Sequence, residues 1–117
     1  MANEITVSAS LHYSKNKASA QLSTSYSATQ TGDKYESGVQ IIGTTEESLA
    51  KNDVGTIGFL AVRNLDPTNF VSFGHTTGVY DVKVLPGMGA VIPWNGTGVF
   101  AKADTANCEV EYLLIEA

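Results

Sequence analysis

His12 and His75 are the only histidines of this 117-residue chain, and imidazole is the side chain best suited to metal binding and proton transfer near neutral pH. Neither has a partner at ligand spacing. A metal centre needs three or four convergent ligands, so His12 reads as part of a strand's polar face and His75 as a turn residue after Gly74. Cys108 is the sole cysteine and has no His near it in sequence. It therefore forms no intrachain disulfide and reads as a small buried hydrophobe. A serine nucleophile needs an adjacent base and an orienting acid, and no Gly-x-Ser-x-Gly elbow occurs. Two acids converging in space would suffice for a glycosidase, which the sequence leaves open. The adjacent pair Glu46-Glu47 reads instead as a helix start. Gly87-Met88-Gly89 and Gly96-Thr97-Gly98 follow turn residues, not a strand leading into a helix, which argues against a phosphate cradle. The expectation is a non-enzyme with no catalytic, cofactor-binding or metal-binding residue.

Four residues are candidates for binding a partner instead: Arg63, Asp66, Trp94 and Asn95. Arg63 ends the most apolar run and precedes Asp66, so it is expected to pair with the turn or with a neighbouring subunit's carboxylate. Trp94 has two readings. Exposed, it could stack on a sugar ring as in a carbohydrate-binding module; otherwise it closes one end of the core or lies at a subunit interface. The second is favoured, because sugar platforms carry more than one aromatic and this chain has one Trp.

The elements that must position these residues are strands. Ile5, Val7, Ala9, Leu11 and Tyr13 alternate with polar residues, and so do Ala18, Ala20, Leu22, Thr24, Tyr26 and Ala28. Period two is the signature of a strand with one buried face. Joined through four polar residues, 14–17, the two runs predict a hairpin over 4–28. Its inward residues are small, so it is expected to pack against another backbone, in this chain or in a second copy. A strand over 39–45 follows. Thr44 and Glu47 have capping-box spacing, which predicts a short helical turn over 46–51. The rest is short strands: 57–62, 70–73, 79–85, 90–94, 99–103 and 109–115, separated by turns rich in Gly, Pro, Asn and Asp. The predicted fold is all-β: an antiparallel, jelly-roll-like sandwich of about nine strands in one domain, 1–117. Phe59, Val62, Phe73, Val91, Phe100 and Tyr112 are expected to share its core.

Net charge is −5. Arg63 is the single arginine and no basic cluster exists, which argues against nucleic acid and anionic membranes as partners. The N-terminal residues lack the basic and apolar segments of a secretion signal, and no run is long enough to span a bilayer as a helix, so synthesis in a cytoplasm is expected.

Four stretches resemble small jelly-roll-like structural proteins of tailed bacteriophages. Residues 61–71, containing Asn64-Leu65-Asp66-Pro67-Thr68-Asn69-Phe70-Val71, resemble a turn of that group. Residues 79–87 and 101–116, ending in Glu111-Tyr112-Leu113-Leu114-Ile115-Glu116, resemble its closing strands. The segment 8–20, Ser-Ala-Ser-Leu-His-Tyr-Ser-Lys-Asn-Lys-Ala-Ser-Ala, resembles its N-terminus. The resemblance implies a virion component that binds capsid or other virion proteins, as a decoration (cement) or head-fibre protein. A tail component is the nearest variant. It implies a protein made in the host cytoplasm and carried in the virion. The long hairpin from Ile5 to Ala28, with faces too large for one short chain to cover, predicts a homo-oligomer, with a trimer favoured. The loop 93–98 departs from the group's pattern, and is expected to set partner choice.

Overall fold

The computed structural model describes residues 2–117, which form ten strands and no helix. They divide into two compact units, one ending at Thr31 and the other Gly32–Ala117.

The first unit is a two-stranded antiparallel ribbon of β1 (Ile5–Lys15) and β2 (Ala18–Ala28). The expected four-residue connection is tighter than that. Pairing continues to Lys15 and Ala18, leaving Asn16 and Lys17 as a two-residue turn with φ of 51° and 75°. Positive φ at both central positions is the type I′ geometry, which matches the twist of the flanking strands. Directly paired residues share a face. One face therefore carries Ala9/Thr24, Leu11/Leu22 and Tyr13/Ala20, and the other Ser8/Ser25, Ser10/Ser23 and Ser14/Ser19. Ser10 and Ser23 join hydroxyls across the ladder at 3.2 Å.

The second unit is a sandwich of two four-stranded antiparallel sheets. One sheet has the order β3 (Tyr35–Ile42), β10 (Cys108–Glu116), β5 (Ile57–Asn64), β8 (Gly89–Gly96). The other runs β4 (Glu47–Ser48), β9 (Phe100–Ala103), β6 (Val71–Gly74), β7 (Val82–Val84). The pairs β3 with β10, β4 with β9, β5 with β8 and β6 with β7 describe one long hairpin rolled on itself. That is jelly-roll connectivity. Strand β10 is the central seam. It buries Cys108, Val110, Tyr112 and Leu114 and turns Glu109 and Leu113 outward. Its last acid fastens the roll, because the Glu116 carboxylate accepts the Gly55 amide at 2.8 Å and the Asp33 and Lys34 amides at 3.2 and 3.3 Å.

The helical turn expected over 46–51 is absent, and the hydrogen bonds show why. Glu47 reaches back as a capping-box acid would, but past Thr44 to the Gly43 amide at 3.1 Å, and it also accepts Gln40 Nε2 at 3.0 Å. Gln40 then receives the Ala50 amide and donates to the Ser48 carbonyl. These bonds hold the segment extended, and Glu47 and Ser48 pair with β9.

The predicted core is half right in phase. Val62, Phe73 and Tyr112 are buried, whereas Phe59 and Phe100 are half-buried and Val91 is 50 % exposed. A bulge explains Phe59. Ile115 pairs with Phe59 but Glu116 with Ile57, so Gly58 is an extra residue of β5 against β10. It shifts the alternation, and β5 buries Ile57, then Leu60, Val62 and Asn64. Val91 is outward because Ala90, Ile92 and Trp94 are the inward residues of β8. On that side Ile57 pairs with Gly96 and Phe59 with Pro93, so Trp94 and Asn95 lie opposite Gly58. Phe73 is fully buried, so Phe73→Ala should cost about 3–5 kcal/mol. Val91→Ala should change stability by less than about 0.5 kcal/mol. Urea unfolding of the two variants checks the phase of the sheets.

Candidate functional site

The outward side of the sheet β3-β10-β5-β8 is assembled by register. Val39 lies beside Glu111, Glu111 beside Arg63, and Arg63 beside Gly89. The next outward row is Ser37, Leu113, Ala61 and Val91. The row beyond begins with Tyr35 beside Ile115. Tyr35 is 68 % exposed, Val39 55 % and Ile41 61 %. A solvated sheet face normally carries polar residues at such positions. Here the charges are confined to the Glu109 and Glu111/Arg63 rows, and the remainder is apolar or small.

Arg63 donates from Nη2 to Glu111 Oε1 across the ladder, with both side chains partly exposed. Its partner is therefore a strand residue and not Asp66. Asp66 builds its own turn: its Oδ2 accepts the Thr68 amide at 3.0 Å and the Asn69 amide at 2.6 Å. Those amides hold its carboxyl below the usual carboxylate range. The turn hangs on Asn64, the buried polar residue among those described. Asn64 Nδ2 donates to the carbonyls of Asn69 and Val84 at 2.9 and 3.1 Å, and Oδ1 accepts the Asp66 amide at 2.9 Å. Sequence reasoning missed Asn64 because Asn before Leu-Asp-Pro reads as an ordinary turn residue.

Trp94 is 2 % exposed, so it presents no platform for a sugar ring and instead closes the core. Its Nε1 donates to the Gly98 carbonyl at 2.8 Å. Asn95, at φ 54°, is the second bulged residue, and it follows Trp94, which is inward in phase with Ala90 and Ile92. The 93–98 loop is thus built around a core residue. Register also separates the candidates: Arg63 pairs with Gly89 at one end of β5, and Ile57 pairs with Gly96 at the other. The structure does not bring Arg63 and Asp66 together with Trp94 and Asn95.

His75 is the residue whose role the sequence under-read. Its ring stacks on Trp94 with centroids 3.6 Å apart and planes at 12°. Nδ1 lies 2.8 Å from Asp81 Oδ2, and Nε2 lies 2.7 Å from the Trp94 carbonyl. An imidazolium donates at both nitrogens. The Asp81 hydrogen bond, reinforced by the Trp94 carbonyl, raises the His75 pKa above its ordinary value, and the same bond lowers that of Asp81.

Among the described residues, no three His, Cys, Asp or Glu side chains are placed to hold a metal ion. A depression of about 240 Å³ between Phe70, Tyr80 and Lys102 is smaller than the ~300–1,000 Å³ of usual small-molecule sites. The Cys108 thiol is buried, and burial raises its pKa. Comparison of the chain with protein-family models, with curated proteins and with solved structures finds no match.

Two measurements test this geometry. Asn64→Ala removes the partner of two buried carbonyls and an amide, and should lower stability by at least about 2 kcal/mol with an unchanged urea m value. For His75, a raised folded pKa means stabilisation that is present in full below the unfolded value of 6.5 and lost as pH rises through the folded value. For Asp81, a lowered folded pKa means stabilisation present above 3.8 and lost as pH falls through the folded value. The melting-temperature difference between wild type and His75→Asn should therefore peak near about pH 5 and shrink in both directions. Emission of Trp94 should titrate with the stacked imidazole in wild type and not in His75→Asn.

Proposed function

We propose that the protein is a non-enzymatic structural component of a tailed-bacteriophage virion. It decorates the capsid as a cement or head-fibre protein and binds the lattice as a homo-oligomer. The observation that carries this reading is the apolar face of the ribbon. Leu11 and Leu22, paired across the ladder, are 74 % and 75 % exposed, with Tyr13 beside them at 53 %. A lone two-stranded hairpin is marginal in water, and one that holds a leucine pair in solvent is completed when another surface covers it. Apolar contact with little charge at its centre is what a protein lattice recognises. The ribbon bears Glu4, Lys15 and Lys17 as its charges, none of them at the Leu11/Leu22 pair. The jelly-roll sandwich and the resemblance of residues 8–20, 61–71, 79–87 and 101–116 to phage structural proteins support the same reading.

The test is attachment. Particles of the phage that encodes the chain, assembled without it, should take up the wild-type protein and not Leu11→Ser/Leu22→Ser, while sedimentation separates bound from free. Circular dichroism of the variant should show the sandwich melting unchanged. Equal loading of the two proteins would remove the ribbon from the binding surface. Gold-labelled protein found on tails and not heads would move the assignment to a tail component, and its absence from particles altogether would overturn the reading.

A further inference from the structure

We propose that the outer face of the sheet β3-β10-β5-β8 is a self-association surface, on which two copies pack face to face about a two-fold axis parallel to the strands between β5 and β10. The inference rests on the homo-oligomer half of the proposed function and names the surface that makes it.

A two-fold axis in that position sets β10 of one copy over β5 of the other and β3 over β8, with each row facing itself. Glu111 of one copy then faces Arg63 of the second copy, and Arg63 faces Glu111, because the two lie side by side in one row. The only opposite charges in the middle of the face are thus placed to complement themselves. Arg63 has five N–H donors, and its intrachain bond to Glu111 uses one of them. The remaining donors are available to a second carboxylate.

Size is complementary under the same operation. Leu113 falls over Ala61, Val39 over Gly89, and Val91 over Ser37, each a large residue against a small one. Gly89 is held to its size, since a Cβ there would lie 2.8 Å from the Val62 carbonyl oxygen. Facing sheets rotate by about 30° relative to each other. That rotation displaces the outer columns most and the β5/β10 seam, where the ion pairs lie, least. Glu109 falls at the rim, in the end row.

The face is large enough. Four strands about 4.8 Å apart, with outward rows over about seven residues, present roughly 20 by 23 Å. Two such faces remove on the order of 1,000 Å² from water, where specific interfaces begin. The trimer expected from the sequence would need two different complementary patches in a ring. This face matches itself.

Sedimentation equilibrium at about 50 μM tests the proposal. Wild type should be dimeric. Arg63→Glu and Glu111→Arg should each weaken the dimer at least about tenfold, through like charges facing across the axis. Mixed in equal amounts the two variants should recover it as a heterodimer, because one copy then presents two carboxylates and the other two guanidinium groups. An intrachain role for the pair predicts no such rescue, so its absence overturns the proposal. Where a charge variant fails to fold, Val91→Asp on the exposed side of β8 replaces it, and a dimer indifferent to Val91→Asp is equally decisive. A wild-type oligomer of any size that ignores all three variants overturns this face and leaves the homo-oligomer reading standing. A wild-type monomer overturns both.

Discussion

The sandwich depends on one buried carboxamide. Asn64 ends β5 in a place with no water to bond its groups, and an unpaired amide or carbonyl there costs more than most packing defects. Every group is met. Its backbone amide donates to the Met88 carbonyl and its own carbonyl accepts the Gly87 amide, which starts β8 alongside β5. Its side chain bonds the Asn69 and Val84 carbonyls and the Asp66 amide. Val84 ends β7, a strand of the opposite sheet. One residue thus ties together both sheets and two turns. The low local dielectric that makes such a group costly when unpaired also makes the filled network specific.

The other end of β5 is governed by the bulge. Trp94 and Asn95 opposite Gly58 shift β8 by one residue relative to β5. Trp94 enters the core in the same alternation that turns Ala90 and Ile92 inward and Val91 and Pro93 outward, and the extra residue, Asn95, follows it. The imidazole of His75, stacked on the indole and bonded to the Trp94 carbonyl, secures the arrangement from the second sheet's side.

Alternation in the sequence revealed the strands, the ribbon and the sandwich class, because side-chain period is a local property of extended chain. The helical turn over 46–51 was misread for a physical reason. Thr44 and Glu47 have capping-box spacing, yet the amide Glu47 bonds is that of Gly43, and Gln40 supplies the further bonds that keep the segment extended. Of the candidate site, Arg63 was expected to pair with the turn or with a neighbouring subunit's carboxylate; its partner within the chain is Glu111, 48 positions away on β10, and sequence carries no signal for that register. Asn64 could have been suspected: it continues the alternation of Leu60 and Val62, so it lies in phase with a buried face. Trp94 was favoured as a core or interface residue and is buried, and the same period two that places Trp94 inward with Ile92 turns Val91 outward, so the two could not both have been core.

A sheet can associate by its edges or by its face, and the edges of this one are closed. β8 is an edge strand, and Pro93 deprives it of an N–H donor while the left-handed Asn95 bends it out of line. Proline and bulges at an edge are the usual means by which sheets avoid pairing with another chain. β3, at the opposite edge, has residues 47–50 held beside it by Gln40, which bonds the Ser48 carbonyl and the Ala50 amide. With its edges hindered, the proposed self-association of this sheet runs through its face. The order of residues along β10 grades that face: Glu109 and Glu111 lie toward the Asn64 end, Leu113 and Ile115 toward the Trp94 end. Solvation thus favours contact in the apolar rows, and the charged row fixes which alignment of two faces is electrostatically matched.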